Sequence, residues 1–96
     1  MSNRVRIPSI VSLESSIRMY YEKIELTNKD ILKLFGDMSS ATVSRLKKKA
    51  REQMAVDGVH SWTGYGVSTE SAYRAWNLDI NDLERRYAKL KELNLV

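Results

Sequence analysis

The sequence predicts an all-α protein of about five helices, and three observations carry that prediction. Apolar residues recur at intervals of three and four along most of the chain. A serine, threonine, asparagine or aspartate stands before each such run, where it can cap a helix. Gly36, Asp57-Gly58 and Asn77 fall where the runs stop.

Residues 1–9 show no periodicity and hold the single proline, so they are read as a flexible basic arm; residues 10–96 are read as one helical domain. The first helix starts at Leu13 behind Ser12 as cap. Leu13, Ile17, Tyr20 or Tyr21, and Ile24 recur along it, and it ends near Glu25. Thr27 caps a second helix, Asn28 to Phe35, that buries Ile31, Leu34 and Phe35, and Gly36 stops it by taking the left-handed conformation. Ser39 caps a third helix to about Ala55, giving a helix-turn-helix over 27–55. Val59 to Ser68, VHSWTGYGVS, is compatible with a small hairpin and with a loop; as a hairpin it would occupy the place of a wing, though it has no Lys or Arg. A fourth helix runs from a cap at Ser68 or Thr69 through Trp76, with Asn77 as a left-handed stop. The last is capped by Asp79 or Asn81, which with Glu84 resembles a capping box. Leu83, Tyr87, Leu90 and one of Leu93 and Leu95 form its buried face. These last two helices form a C-terminal pair over 69–94.

Composition narrows the function. With 43% hydrophobic and 29% charged residues in 96, the chain can build a small core without metal or disulfide help. The absence of cysteine excludes a disulfide scaffold and a thiolate metal site and fits a reducing compartment. No apolar run approaches the roughly 18 residues that span a bilayer. The start, MSNRVRIPSIVSL, is a poor signal peptide because Pro8 interrupts its short apolar part. A cytoplasmic protein without a membrane partner is expected.

The charge is concentrated. Arg45, Lys47, Lys48, Lys49 and Arg51 against Glu52 make +4 within the third helix, equal to the net +4 of the whole chain. A charge confined to one helix and an arm bearing Arg4 and Arg6 points to a polyanionic partner, double-stranded DNA first. Val43, Leu46, Ala50 and Met54 recur at helical spacing and should face the core, leaving Ser40, Ala41, Ser44, Arg45 and Lys48 opposite and Lys47, Lys49 and Arg51 on the flanks. In a helix docked in the major groove, N-terminal residues reach base edges and flanking cations meet phosphates. Arg45 is the leading base contact, since its planar fork can bind both acceptors of guanine. Ser39, Thr42 and Ser44 offer short contacts to phosphate, aided by the positive end of the helix dipole. Arg4 and Arg6 would lie in a minor groove if the arm is ordered on DNA.

Thr27-Asn28-Lys29-Asp30-Ile31, Gly36 and Thr42-Val43-Ser44-Arg45-Leu46 resemble the helix-turn-helix of the lactose-repressor family of bacterial regulators, with its T-x-x-D-(V/I) start and T-V-S-R-(V/L) core. The turn here, Gly36-Asp37-Met38-Ser39, is one residue longer. The likeness covers about a quarter of the chain and implies that Ser40, Ala41 and Arg45 read bases while Ser39 and Ser44 touch the backbone. Ala72 to Tyr87 is faintly similar to the C-terminal helix-turn-helix of the factor-for-inversion-stimulation family, with Asn77 in the glycine place and Leu78 as the turn aliphatic. Phe35 and Gly36 then correspond to Trp76 and Asn77, and Val43 and Arg45 to Leu83 and Arg85. From Asp79 to Leu93 acids and bases cancel, so this second copy is expected to pack or dimerise.

His60 has no cysteine or acidic cluster at ligand spacing, so no metal is expected. Trp62, Tyr65, Tyr73 and Trp76 are read as an aromatic cluster closing the core rather than as stacking platforms. No nucleophile comes with a base and an orienter, and the glycines form no phosphate loop, so no catalytic residue, cofactor or enzyme activity is expected. The leading function is a small bacterial or phage DNA-binding protein, a transcription regulator or architectural factor, with helix 39–54 in the major groove and a homodimer or protein partner held through 69–94. The alternatives are a protein-interaction module with an incidental basic helix, and an RNA binder. On the leading function, Arg45→Ala weakens binding to a preferred site by about 1–3 kcal/mol and to random duplex by less, measurable by competition titration.

Overall fold

The computed structural model describes residues 7–95, and among these it is all-α with one very small sheet: α1 (Leu13–Glu22), β1 (Glu25–Leu26), α2 (Asn28–Phe35), α3 (Ser40–Asp57), β2 (Val67–Ser68), α4 (Thr69–Ala75) and α5 (Ile80–Glu92). Arg4 and Arg6, the arm's expected groove contacts, lie outside the described residues. Ile7 is packed against the core, so the arm expected over 1–9 is already attached at its inner end. No helix among the described residues is long and apolar enough to cross a membrane.

Local capping chemistry sets the helix starts. Ser12, Thr27, Ser39 and Ser68 each accept a hydrogen bond from the backbone N–H three residues on, and Asp79 accepts one from Asn81. Thr27 and Asp30 form a reciprocal capping box, with the Thr27 N–H donating to Asp30 Oδ2 at 2.9 Å. The box expected at Asn81 and Glu84 does not form: Asp79 is the cap, and Glu84 instead accepts from the Tyr21 hydroxyl of α1 at 3.0 Å.

α1 stops three residues short of its expected end. Lys23 is extended, the Thr69 N–H donates to the Ile24 carbonyl, and Glu25–Leu26 pairs antiparallel with Val67–Ser68. Tertiary pairing overrides the helical period there, and Ile24 is left exposed instead of buried, as is Tyr21. The same pairing settles 59–68. No hairpin forms within it; its last two residues join β1, and 59–66 is a loop.

α4 is the interior element. Tyr73 and Trp76 are each 1% exposed. The Tyr73 hydroxyl donates to the Ser16 carbonyl of α1 at 2.6 Å, and the Trp76 indole N–H donates to the Leu46 carbonyl of α3 at 3.0 Å. Phe35 of α2 meets Trp76 edge-on, with ring centroids 5.4 Å apart. Val43, Leu46, Ala50 and Met54 form the buried face of α3 as their spacing predicts. α5 lies against α1 through Leu83, with Tyr87 and Leu90 half-buried and Leu93 and Leu95 exposed.

The two helix pairs are local copies of one another. Each begins with a short strand and a hydroxyl cap, Leu26-Thr27 and Val67-Ser68, and a residue of positive φ follows each first helix, Gly36 as the C-cap of α2 and Asn77 just past Trp76, the C-cap of α4. Corresponding residues meet at the junction: Leu26 pairs with Val67 and Phe35 packs on Trp76. The correspondence stops further out, where α3 packs on α4 but α5 turns to α1.

Gly36 has the expected positive φ, yet with φ 90° and ψ 179° it lies in the extended region open to glycine rather than in the left-handed helical one. A Cβ there would also come within 3.3 Å of the Val11 side chain, on a segment whose Val11 N–H caps the Leu34 carbonyl. Gly36→Ala is therefore expected to destabilise the protein by about 1–3 kcal/mol in urea unfolding. Glu52→Ala, at an exposed position of α3, should stay within about 0.5 kcal/mol.

Candidate nucleic-acid interface

α3 is an 18-residue helix whose start is open to solvent. Ser39, Ser40, Ala41, Ser44, Arg45, Lys48 and Arg51 are exposed, and Thr42, Lys47 and Lys49 are half-buried. Ser39 Oγ accepts from the Thr42 N–H at 3.2 Å and lies 3.0 Å from the Thr42 hydroxyl, so the cap is internally satisfied. At about 100° per residue, Ala41, Arg45, Lys48 and Glu52 share the stripe opposite the core. Ser40, Ser44, Lys47 and Arg51 lie on one flank, and Thr42 and Lys49 on the other.

The five cations divide into two groups. The Lys47 ammonium donates to the Tyr65 carbonyl at 2.8 Å and the Arg51 guanidinium donates to the same oxygen at 3.2 Å. Burial, and then the charge of Arg51, lowers the Lys47 pKa from the ordinary lysine value. Arg45, Lys48 and Lys49 make no side-chain hydrogen bond or ion pair among the described residues. Lys47 and Arg51 make no ion pair either, so no cation of α3 is held in a salt bridge among the described residues, although Glu52 stands on the same exposed stripe as Arg45 and Lys48.

α5 presents the opposite arrangement. Arg85 and Arg86 both pair with Asp82, the latter at 3.0 Å, and Lys89 pairs with Glu92 at 3.7 Å. The hydrogen bond from Arg86 depresses the Asp82 pKa, with burial opposing it and the charges of Arg86 and Arg85 assisting. Arg74 of α4 is held by Asp57, which also accepts from Ser71 at 2.7 Å. Outside α3, then, many of the basic side chains are used up internally.

The loop between α3 and β2 was not legible in the sequence. Trp62 and Tyr65 do not join Tyr73 and Trp76 in the core; they are 82% and 63% exposed. The loop is nevertheless closely built. Glu25 accepts from the Trp62 N–H, from the Thr63 N–H and hydroxyl, and from the Ser61 hydroxyl. Ser61 Oγ accepts from the Gly64 N–H at 2.9 Å, and Thr63 Oγ1 accepts from the Gly66 N–H at 3.0 Å. Gly66 passes so near β1 that a Cβ would stand 2.9 Å from a Glu25 carboxylate oxygen. Nothing local in the sequence marks Glu25, because its partners lie in a distant loop. The described residues hold no cluster of three or more His, Cys, Asp or Glu able to bind a metal ion. No protein-family model, curated protein or solved structure matches the chain.

Partial burial raises the Glu25 pKa, but the donors from Trp62, Thr63 and Ser61 outweigh it and leave the carboxyl below the usual glutamate range. The folded pKa therefore lies below the unfolded one. The loop bonds stabilise the protein above the unfolded pKa and are lost as the pH falls through the folded one. In an NMR pH titration, the Trp62 and Thr63 amide signals are expected to move together at a pH below the titration of free glutamate and to stay still in Glu25→Gln. Movement at or above the free-glutamate range would show that the carboxylate does not hold the loop.

Proposed function

We propose that this chain is a small DNA-binding protein, a transcription regulator or accessory architectural factor of the bacterial or phage kind, acting in the cytoplasm and placing α3 in the major groove. One observation supports this above the rest: none of the five cations of α3 has an acidic partner among the described residues, while Arg85, Arg86 and Lys89 of α5 do and only Lys91, over the Tyr87 ring, does not. A solubilising surface has no need of such segregation, whereas a polyanion gains most from a face whose charges are uncommitted. The break at Gly36 between α2 and α3, followed by the Ser39 cap and an exposed helix start, fits the helix-turn-helix likeness of residues 27–46. Ser40, Ala41 and Arg45 are the proposed base-side residues. Ser39, Thr42, Ser44, Lys48 and Lys49 are the proposed backbone contacts, with Lys47 and Arg51 on the flank.

A protein partner is the second reading, favoured by exposed apolar side chains. Tyr21, Ile24, Val59 and Trp62 line one groove of about 440 Å³, and Leu93 and Leu95 are uncovered at the C-terminal end. The dimer face proposed for 69–94 narrows to α5 and these leucines, because α4 is committed to the core.

Salt dependence of binding to generic duplex separates the two. If Arg45, Lys48 and Lys49 each neutralise one phosphate, log K falls against log salt with a slope near −2.7, reaching about −4.5 if Lys47 and Arg51 also engage. Replacing Lys48 and Lys49 together is expected to lessen the slope by about two on every sequence. Replacing Arg85 and Arg86 should change it less, since both are already held by Asp82, which cancels one of their two charges. A slope that survives the Lys48/Lys49 change and collapses with Arg85/Arg86 would make α5 the reader, and salt-insensitive or absent binding would leave the protein-partner reading.

A further inference from the structure

Trp62 and Tyr65 combine two properties that rarely serve a merely structural loop. Their side chains are exposed, yet the backbone that carries them is held from two sides, by Glu25 of β1 and by Lys47 and Arg51 of α3. Residues 58–68 contain no acidic residue, and both Glu25 oxygens are engaged by loop donors. Three charges are therefore fastened to the loop, the Glu25 carboxylate and the two cations Lys47 and Arg51, so the positive sign prevails on the side that joins α3. Lys47 and Arg51 stand one turn apart on the flank of α3 that also carries Ser40 and Ser44, so the loop is joined to the edge of the basic face. The loop itself lacks Lys and Arg, which argues against a phosphate clamp. Aromatic side chains need no charge to engage nucleic acid, since they lie on sugars or wedge against base steps through their faces.

We propose that the loop Ser61–Tyr65 is a second duplex-DNA contact, presenting Trp62 and Tyr65 to the sugars and base edges of the groove beside α3. The proposal rests on the DNA-binding function above and adds a non-ionic element to it. The preformed loop backbone lowers the ordering cost of binding.

The experiment follows a fluorescent duplex by anisotropy over a range of salt concentrations, first with the wild-type protein and then with Trp62→Ala/Tyr65→Ala. Both side chains are exposed, and circular dichroism checks that the fold is kept. Affinity is expected to fall about tenfold, while the slope against log salt stays that of the wild type because no cation is removed. Trp76 is buried, so iodide quenching of the wild type reports on Trp62, and duplex should protect it. A double variant that binds as tightly as the wild type would overturn the proposal and leave the DNA reading standing. So would protection of Trp62 that rises with protein concentration without DNA, which would assign the loop and its apolar groove to a protein contact. A wild-type protein that shows no duplex binding would overturn the DNA reading itself, and this proposal with it.

Discussion

The indole of Trp76 is the interaction on which the placement of the basic helix depends. Its N–H reaches the Leu46 carbonyl in the middle of α3, its ring meets Phe35 of α2, and one turn earlier on the same helix Tyr73 reaches the Ser16 carbonyl of α1. Thus α4, only seven residues long, reaches each of the first three helices together with its C-cap, Trp76. Truncating a buried aromatic of this kind typically costs about 3–5 kcal/mol. That is a large share of the roughly 5–15 kcal/mol that holds a domain together. The hydrogen bond adds direction to that burial: an indole N–H buried without an acceptor is penalised, so α3 is favoured in the one rotation and height that offer Leu46. That rotation also turns Arg45 and Lys48 outward.

The charge arrangement follows from how little a surface ion pair is worth. Exposed pairs contribute about 0–1 kcal/mol each, so α3 gives up little stability by having none, and α5 gains little from its several. Folding energetics therefore do not account for the difference between the two helices. What differs is availability: a cation already matched to Asp82 or Glu92 must be released before it can meet a phosphate, while Arg45, Lys48 and Lys49 need not be. Two cations of α3 are used differently again. Lys47 and Arg51 converge on one carbonyl oxygen and bind the following loop to the helix flank.

What could be read from the chain alone was what is decided within a few residues. The limits of α2 follow from Thr27, Asp30 and Gly36, whose capping box and positive φ are local matters. The buried face of α3 follows from the spacing of Val43, Leu46, Ala50 and Met54. Asn77 takes its expected left-handed φ of 59° for the same reason. The all-α class is the sum of such local preferences.

Only the tertiary structure decided the rest, because it turns on partners far apart in sequence. The early end of α1 and the exposure of Ile24 come from pairing with Val67–Ser68, which no periodicity within residues 13–25 encodes. Four aromatics close together in sequence were equally apolar, yet Tyr73 and Trp76 found carbonyl partners inside the core while Trp62 and Tyr65 were carried outward by a loop that Glu25 holds. Net charge placed the basic helix. Which of its cations remain uncommitted depended on where the Tyr65 carbonyl came to lie, a matter of three-dimensional geometry rather than composition.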